Sequence, residues 1–151
     1  MTPESDAKLR AAYPLVFQYP LMNDEPIRCG EGWFHLLWLL CGGLQETIEE
    51  VGFAALDHSD PQAVADFSQW RAVQVKEKFG ALRLYLHRET SEMTTLLDLA
   101  ERLSQHVCDV CGKPGKQRSG DAVERPMLVR TRCDEHVNWF EAETGFAHQS
   151  K

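Results

Sequence analysis

The chain has 151 residues, of which 43% are hydrophobic, and it carries a formal net charge of −7. This apolar content, which includes four Trp, is enough for a folded core and argues against global disorder. The length suits one moderate domain, or one domain with a small metal-binding appendage. An acidic chain is a poor generic binder of nucleic acid, because its charge repels phosphates.

The composition also bears on compartment. The N-terminal residues lack the basic region and apolar run of a signal peptide. The longest apolar stretch, around Leu36–Cys41, is far shorter than the roughly 20 residues that a membrane span needs. We therefore expect a cytoplasmic protein without membrane contact. Cys29 and Cys41 could form a disulfide, but two buried thiols in a reducing cytoplasm is the simpler interpretation.

Three segments show helical character. A short helix is expected over residues 4–12, capped by Ser5 or Asp6. Apolar residues then recur at steps of three and four after Gly32, in the order Trp33, Leu37, Leu40, Leu44, Ile48 and Val51. A third helix, capped by Thr90 or Ser91, carries the stripe Met93, Leu96, Leu97, Ala100, Leu103 and Val107. The predicted core includes Leu37, Leu40, Leu44, Leu84, Leu97 and Leu103.

Residues 73–87 alternate with period two on both sides of Gly80, which predicts a β-hairpin. One predicted row contains Val73, Val75, Glu77 and Phe79. Glu77 is the polar member of this row, so it either lies at an edge or pairs with Arg83 or a lysine. The turn is not of the Asn-Gly kind, and its geometry therefore stays open.

The opposite face of this hairpin carries basic and aromatic side chains. Two interpretations stand beside each other: a salt-bridged hairpin, and a surface that recognises a partner. The candidate partner-binding residues are Lys76, Lys78, Arg83 and Tyr85.

The most informative motif consists of Cys108, Cys111, Cys133 and His136, arranged as Cys-x-x-Cys-Gly and Cys-x-x-His. Two close pairs of sulfur and imidazole donors are typical of a tetrahedral zinc site, and matched spacing makes disulfides or chance thiols a weaker explanation. We predict one Zn²⁺ per chain with a structural role, because four protein ligands leave no position for a reactive water. His106 could compete with His136 but is expected to face solvent.

The spacing also predicts how the site is built. The first pair lies in a turn that ends at Gly112, and the second pair opens a helix predicted over Cys133–Glu143, after an extended segment Met127–Arg132. This order is that of a treble clef, whereas a zinc ribbon would need no following helix. We therefore predict an α+β fold, with helices packed on a small antiparallel hairpin and a C-terminal treble-clef-like zinc module. The expected divisions are a core over 1–107, the zinc module over 108–145 and a tail over 146–151.

No catalytic motif accompanies the metal site. The sequence has no phosphate-binding loop, no His-Glu-x-x-His and no nucleophile motif. A His-Asn-His nuclease would need a further His within residues 112–132, where there is none. A surface turn explains the cluster of Asp57, His58 and Asp60 better than a ligand set does. We therefore predict that the protein is not an enzyme.

The stretch between the two ligand pairs, residues 113–132, is called the basic segment below. It has six basic and two acidic residues and a charge of +4, so the rest of the chain carries −11. Its candidate partner-binding residues are Lys113, Lys116 and Arg118. A nucleic-acid-associated protein that uses this segment is the alternative function; solvated loop charges are the simpler explanation.

Two stretches together resemble small uncharacterised zinc-binding proteins of tailed bacteriophages and prophages. The first is Val75–Tyr85, with the sequence VKEKFGALRLY; the second combines Cys108–Gly115 with the late Cys-x-x-His. A Gly-Trp-Phe helix start, here Gly32–Phe34, is also similar. The resemblance covers roughly residues 30–137 and implies the metal site above and a bacterial host cytoplasm. With no family activity to carry over, we predict a non-enzymatic protein that acts through protein–protein contacts, on a host or defence factor.

Overall fold

The computed structural model describes residues 1–17, 25–52, 70–119 and 128–140. Within these ranges the chain forms three α-helices, two antiparallel hairpins and two 3₁₀ helices, so the α+β class is confirmed. The helices are α1 (Pro3–Ala12), α2 (Phe34–Gly52) and α3 (Ser91–Ser104), with 3₁₀ helices over Glu31–Trp33 and Asp134–Phe140. The strands are β1 (Ala72–Lys78), β2 (Ala81–Leu86), β3 (Lys116–Ser119) and β4 (Val129–Arg132).

The helix starts follow ordinary capping chemistry. The backbone N–H of Met93 donates to Thr90 Oγ1 at 3.2 Å, so the predicted cap of α3 is confirmed at Thr90. In α1 the cap is Thr2, whose hydroxyl accepts from the Ser5 N–H, and Pro3 occupies the first helical position. The prediction of Ser5 or Asp6 as this cap was wrong, because Pro3 begins the helix earlier than the polar pattern indicates.

The core lies between α2, α3 and the inner face of the β1–β2 hairpin. On α2 the predicted stripe is buried from Trp33 to Ile48, and only its last member, Val51, is exposed. A Cβ placed on Gly43 would lie 3.2 Å from Leu96 Cδ1, so this glycine lets α3 approach the α2 backbone. Of the six predicted core leucines, Leu37, Leu40, Leu44 and Leu84 are buried and Leu97 is partly buried.

The predicted burial of Leu103 was wrong, since 45% of its surface is exposed. The face that α3 turns inward instead runs through Met93, Ala100 and Ser104. Ser104 is fully buried, and its hydroxyl accepts a hydrogen bond from the Leu82 N–H at 2.8 Å and donates to the Glu101 carbonyl at 2.6 Å. A buried hydroxyl with both bonds satisfied breaks the apolar stripe on which the prediction depended.

The β1–β2 hairpin turns at Phe79–Gly80, where both residues have positive φ angles of 53° and 76°. Two central residues of positive φ are the requirement of a type I′ hairpin turn, which Gly80 satisfies without steric cost. The predicted row fails at its two ends: a register shift between Ala72 and Gln74 leaves Val73 exposed, and Phe79 stands exposed in the turn. Val75 and the alternating leucines of β2 are buried as predicted.

A third segment extends this hairpin. Arg28 forms a parallel bridge with Lys76, in which the Arg28 N–H donates to the Val75 carbonyl at 3.0 Å and the Glu77 N–H donates to the Arg28 carbonyl at 2.9 Å.

Among the described residues, no helix has the length and apolar character needed to cross a membrane.

Candidate metal centre

The four predicted ligands meet in space, with their donor atoms all within 4.8 Å of one another. Cys111 Sγ lies 3.8 Å from Cys133 Sγ, and Cys108 Sγ lies 3.6 Å from His136 Nδ1. Zinc bonds of about 2.3 Å to sulfur and about 2.05 Å to nitrogen, at tetrahedral angles, require about 3.8 Å and about 3.6 Å for these two edges. The Cys133 Sγ to His136 Nδ1 edge is shorter, at 3.2 Å. The residues present therefore fit a tetrahedral metal ion, and this cluster could hold one.

The first ligand pair lies in a tight turn whose backbone N–H groups point at the sulfur of Cys108. The Gly112 N–H donates to the Cys108 carbonyl at 2.9 Å, and Gly112 has a φ of 75°, which favours glycine. Burial raises the pKa of the Cys108 thiol, but backbone N–H groups of Cys133, Cys111 and Val110 outweigh it and lower the pKa to about 7. A thiolate is thus accessible near neutral pH, which is the form that binds metal.

In the second pair, Cys133 lies between β4 and the 3₁₀ helix Asp134–Phe140, and His136 lies in the first turn of that helix. A 3₁₀ helix has three residues per turn, so Cys133 and His136 stand one above the other and both reach the centre. The His136 N–H donates to the Cys133 carbonyl at 3.2 Å. The prediction of a helix over Cys133–Glu143 is correct in placing a helical turn here, but that turn is 3₁₀ through Phe140. The residues after 140 lie outside the described part.

A short hairpin links the two pairs. Strand β3 pairs with β4 in the register Lys116 to Arg132 through Ser119 to Val129, so the extended segment predicted over Met127–Arg132 is a strand from Val129 onward. A Cβ placed on Gly115 would lie 2.9 Å from the Cys108 nitrogen and 3.1 Å from the Arg132 carbonyl carbon. Glycine at 115 therefore lets the start of this hairpin pack between the two ligand-bearing segments.

A buried ion pair lies directly beside the ligands. Arg132 precedes Cys133 and has 0% exposure, and its Nε is 2.7 Å from Oδ1 of the buried Asp109, which follows Cys108. The Asp109 N–H also donates to the Thr131 carbonyl at 2.9 Å. Together these contacts tie the first ligand turn to β4 independently of the metal. The sequence analysis did not predict this ion pair. The only sequence signal for it is that an acidic residue follows Cys108 and a basic residue precedes Cys133.

The same turn is packed backbone to backbone against the start of α2. The Gly32 N–H donates to the Asp109 carbonyl at 2.8 Å, and Trp33 Nε1 donates to the Val107 carbonyl at 2.7 Å. A Cβ on Gly32 would lie 2.2 Å from the Cys108 carbonyl oxygen, and one on Gly30 would lie 1.9 Å from that of Asp109. The Gly-x-Gly-Trp sequence therefore packs against the turn of Cys108 and Cys111 as well as starting a helix.

The turn of the β1–β2 hairpin contacts the other side of the module. Glu77 forms an ion pair with Arg130, and its second oxygen accepts from the Gly80 N–H at 2.6 Å. Thr131 Oγ1 donates to the Gly80 carbonyl at 2.5 Å, and Gln117 Nε2 donates to the Phe79 carbonyl at 3.1 Å. Of the two alternatives predicted for Glu77, an edge position or a pair with Arg83 or a lysine, the second was wrong: its partner is Arg130 of β4, which the local sequence pattern cannot connect to it.

The candidate partner-binding residues of the basic segment are largely engaged within the module. Lys113 Nζ donates to both oxygens of Glu135 at 2.8 and 2.9 Å. Arg118 donates to the Arg132 carbonyl at 3.1 Å and pairs with Asp134. Lys116 is exposed. Glu135 and Asp134 lie just past the interval that gave +4, and including them lowers its formal charge to +2.

The other candidate set lies together on one face of the β1–β2 hairpin. Lys76 is opposite Arg83 in the register, and Lys76 Nζ lies 5.5 Å from the centre of the Tyr85 ring. Lys78 Nζ lies 5.7 Å from the centre of the Phe79 ring, and Arg83 pairs with Glu101 of α3. This face thus combines a partly salt-bridged hairpin with a half-buried lysine, Lys76, and an exposed one, Lys78.

The remaining thiols and possible ligands do not extend the centre. Cys29 and Cys41 are free and buried, as predicted, and burial raises the pKa of both thiols, that of Cys29 to about 12. His106 is exposed and is not part of the cluster. Asp57, His58 and Asp60 lie outside the described residues. Within the described residues, only the Cys₃His group brings three or more Cys, His, Asp or Glu donors together for a metal.

Comparison with protein-family models, with curated proteins and with solved structures finds no match to this chain.

Proposed function

We propose that this chain is a non-enzymatic zinc-binding protein of phage or prophage type that acts through contacts with a protein partner. The observation that carries the proposal is the Cys₃His cluster, whose four donor atoms lie within 4.8 Å of one another, with two of the distances at the values that tetrahedral zinc requires. Zinc bound there, one ion per chain, would supply a covalent-like crosslink between the two ligand pairs.

The closed donor set supports a structural role. Catalytic zinc in proteins commonly has three protein ligands and keeps one position for water or substrate. Here three thiolates and one imidazole would fill all four positions around a bound zinc ion, and the buried Asp109–Arg132 pair and the start of α2 surround the cluster. Because these contacts already hold the neighbouring segments together, a zinc ion there would stabilise the surface that they form.

The local architecture supports a treble-clef-like module. The order is a turn with two cysteines, a short hairpin, and a helical turn that carries the last ligand. The helical turn after Cys133 is the feature that a zinc ribbon would lack. Its 3₁₀ geometry is a departure from the α-helix that the sequence predicts.

The phage or prophage assignment depends on the resemblance of Val75–Tyr85 together with the two ligand motifs. The contacts give a physical reason for the two to occur together, because Glu77 and Gly80 of the first motif touch Arg130 and Thr131 beside the second ligand pair. A bacterial host cytoplasm and a host or defence factor as partner follow from this assignment.

The charge arrangement favours a protein partner over nucleic acid. Four cations of the basic segment have acidic partners within the described chain, namely Asp109 for Arg132, Glu77 for Arg130, Asp134 for Arg118 and Glu135 for Lys113. The remainder of the chain carries −11 and repels a polyanion that approaches within a Debye length of roughly 8 Å.

The test is capture from a nuclease-treated bacterial lysate with the zinc-loaded chain as bait. We expect a defined protein to be retained, and to be retained equally by a variant in which Lys113, Lys116 and Arg118 are all replaced by Gln. Direct binding to random-sequence duplex or single-stranded DNA is measured in parallel across salt concentrations. Sub-micromolar, salt-sensitive DNA binding that the triple variant loses would replace this proposal with the nucleic-acid alternative.

A further inference from the structure

We propose that the outward face of the β1–β2 hairpin and its Arg28 extension docks an acidic segment of the partner protein. This cationic face consists of Arg28, Lys76, Lys78, Arg83 and Tyr85. The inference rests on the proposed function and adds to it the place of binding and the chemistry of the partner.

The face is built by register. Arg28 is bridged to Lys76 in parallel, and Lys76 is paired with Arg83 in antiparallel. Bridged residues project from the same side of a sheet, so three cations stand in a row across adjacent backbones, each about 4.8 Å from the next. The side chain of Arg28 is 63% exposed, whereas its neighbours Ile27 and Cys29 are buried, which fixes Arg28 on the outward side.

This row works against folding. Like charges directly opposite each other on a sheet are destabilising, and a sheet selected for stability alone pairs opposite charges there. Among the described residues, acidic groups balance the two ends of the row and not its centre: Glu25 lies 3.0 Å from Arg28, and Glu101 pairs with Arg83. The one acid of β1 and β2, Glu77, is engaged with Arg130 of the zinc module. The centre of the row, Lys76, and the exposed Lys78 beside it therefore present positive charge outward.

Aromatic rings support the two central lysines. Lys76 lies over the Tyr85 ring and Lys78 over the Phe79 ring, and these rings are 37% and 53% exposed. Such contacts restrain a lysine and present apolar area next to the charge. Aromatic rings and arginine are enriched in protein interfaces, so Tyr85, Phe79 and Arg83 suit a docking surface, and the two lysines add the charge that selects an acidic partner.

Charge complementarity identifies the occupant as an acidic protein segment. A row of three cations spans about 10 Å, which two or three carboxylates of an extended segment, spaced about 6.8 Å apart at alternate residues, can cover. Such a segment needs only local complementarity. A long nucleic acid would also meet the acidic remainder of the chain, which carries −11.

The experiment measures fluorescence anisotropy of a labelled octaglutamate peptide with the full zinc-loaded chain, and octaglutamine is the matched probe. We expect the wild type to bind octaglutamate, with an affinity that falls as salt rises, and to show no binding to octaglutamine. The double variant Lys76→Gln with Lys78→Gln should weaken binding about tenfold, since each exposed charge pair contributes up to about 1 kcal/mol. The control Lys113→Gln with Lys116→Gln should change it less than about twofold.

Equal losses of octaglutamate affinity in the two double variants, or no binding by the wild type, would contradict the proposal that the cationic face docks an acidic segment. Tighter binding of a random DNA duplex than of the peptide would overturn it in favour of nucleic acid. The variant Lys76→Arg with Lys78→Arg should restore binding, and zinc content and thermal melting of each variant show whether it is folded. The peptide assay needs no native partner, so its failure leaves the proposed function standing. Failure to capture a protein from lysate contradicts the proposed function.

Discussion

The two basic regions of this chain differ in what their charges do. In the basic segment, Lys113, Arg118, Arg130 and Arg132 are turned to acidic partners, and one of these partners, Asp109, is buried. On the cationic face, Arg28 and Arg83 at the ends of the row also have acidic partners, but Lys76 between them and the neighbouring Lys78 form no ion pair with a described residue. The basic segment has more cations in the sequence, but its cations are less available to a partner in the fold. Their acidic partners come from outside residues 113–132, the interval over which the charge of +4 was counted.

Binding of a metal ion by the Cys₃His cluster would explain why the basic segment is used internally. Two ligand pairs that are separated by more than twenty residues must be brought together, and the pairs Asp109–Arg132 and Glu77–Arg130 hold the segments that carry or support them. On the cationic face, Arg83 pairs with Glu101 of α3, but Lys76 and Lys78 hold no second segment in the described contacts. The following changes, from the largest expected effect to the smallest, would break or sharpen this contrast.

Replacing the ligand Cys133 by Ser should abolish zinc binding and unfold at least residues 108–140. Structural zinc contributes roughly 10–16 kcal/mol of apparent binding free energy that is coupled to folding. Metal analysis and hydrogen exchange at the Trp33 indole and Gly32 amide measure the effect.

Because the cations of the basic segment lose their acidic partners in the Cys133→Ser variant, octaglutamate binding that does not depend on Lys76 and Lys78 should also appear. The matched control Cys29→Ser removes a buried thiol outside the centre and should keep the zinc; retention of zinc by Cys133→Ser would contradict the ligand assignment.

Arg132→Met should destabilise the zinc-loaded protein by about 3–5 kcal/mol, because it leaves the buried Asp109 carboxylate without its cation. Lys113→Met, which removes an exposed cation of the same segment, should leave the unfolding midpoint nearly unchanged. Chemical denaturation of both variants at fixed zinc concentration measures the difference. Similar shifts in the two would mean that the Asp109–Arg132 pair does not hold the module.

Gly32→Ala should cost about 1–3 kcal/mol or more, since its new methyl group would lie 2.2 Å from a backbone oxygen that cannot move freely. Gly42→Ala provides the control within α2, where the nearest atom would be Tyr13 Cε1 at 3.7 Å and where alanine favours the helix by about 0.5–1 kcal/mol. Thermal unfolding should therefore shift in opposite directions for the two substitutions. A neutral Gly32→Ala would show that α2 and the ligand turn are not in close backbone contact.

The smallest expected effect is on the cationic face. Lys76→Gln should change the free energy of unfolding by less than about 0.5 kcal/mol, and in the stabilising direction if the repulsion from Arg28 and Arg83 dominates. Denaturant titration at low and high salt separates the two contributions, because repulsion is screened by salt. A clear destabilisation by this substitution would mean that Lys76 serves the fold, and would remove the contrast between the two regions.

Local spacing was sufficient to predict that the Cys₃His cluster forms and that the α2 stripe is buried. Cys108, Cys111, Cys133 and His136 could be read from two short intervals, and Leu37 to Leu44 from one helical period. Contacts made across the chain were not predictable in this way. Glu77 pairs with Arg130 because the β1–β2 and β3–β4 hairpins lie in contact. A glycine is required at position 32 because the backbone of Cys108, more than seventy residues away, packs against it. The burial of Leu103 was predicted wrongly because the inward position on α3 is occupied by Ser104, whose hydroxyl is buried and hydrogen-bonded.

The central claim, that the Cys₃His cluster holds one structural zinc ion, is tested most directly by metal analysis of freshly purified protein. The ion is then replaced by Co²⁺, and the visible spectrum is recorded. We expect one zinc per chain, and a cobalt spectrum of tetrahedral geometry with thiolate charge-transfer bands. Protein without zinc, or a disulfide between Cys111 and Cys133 in place of the metal, would contradict the account.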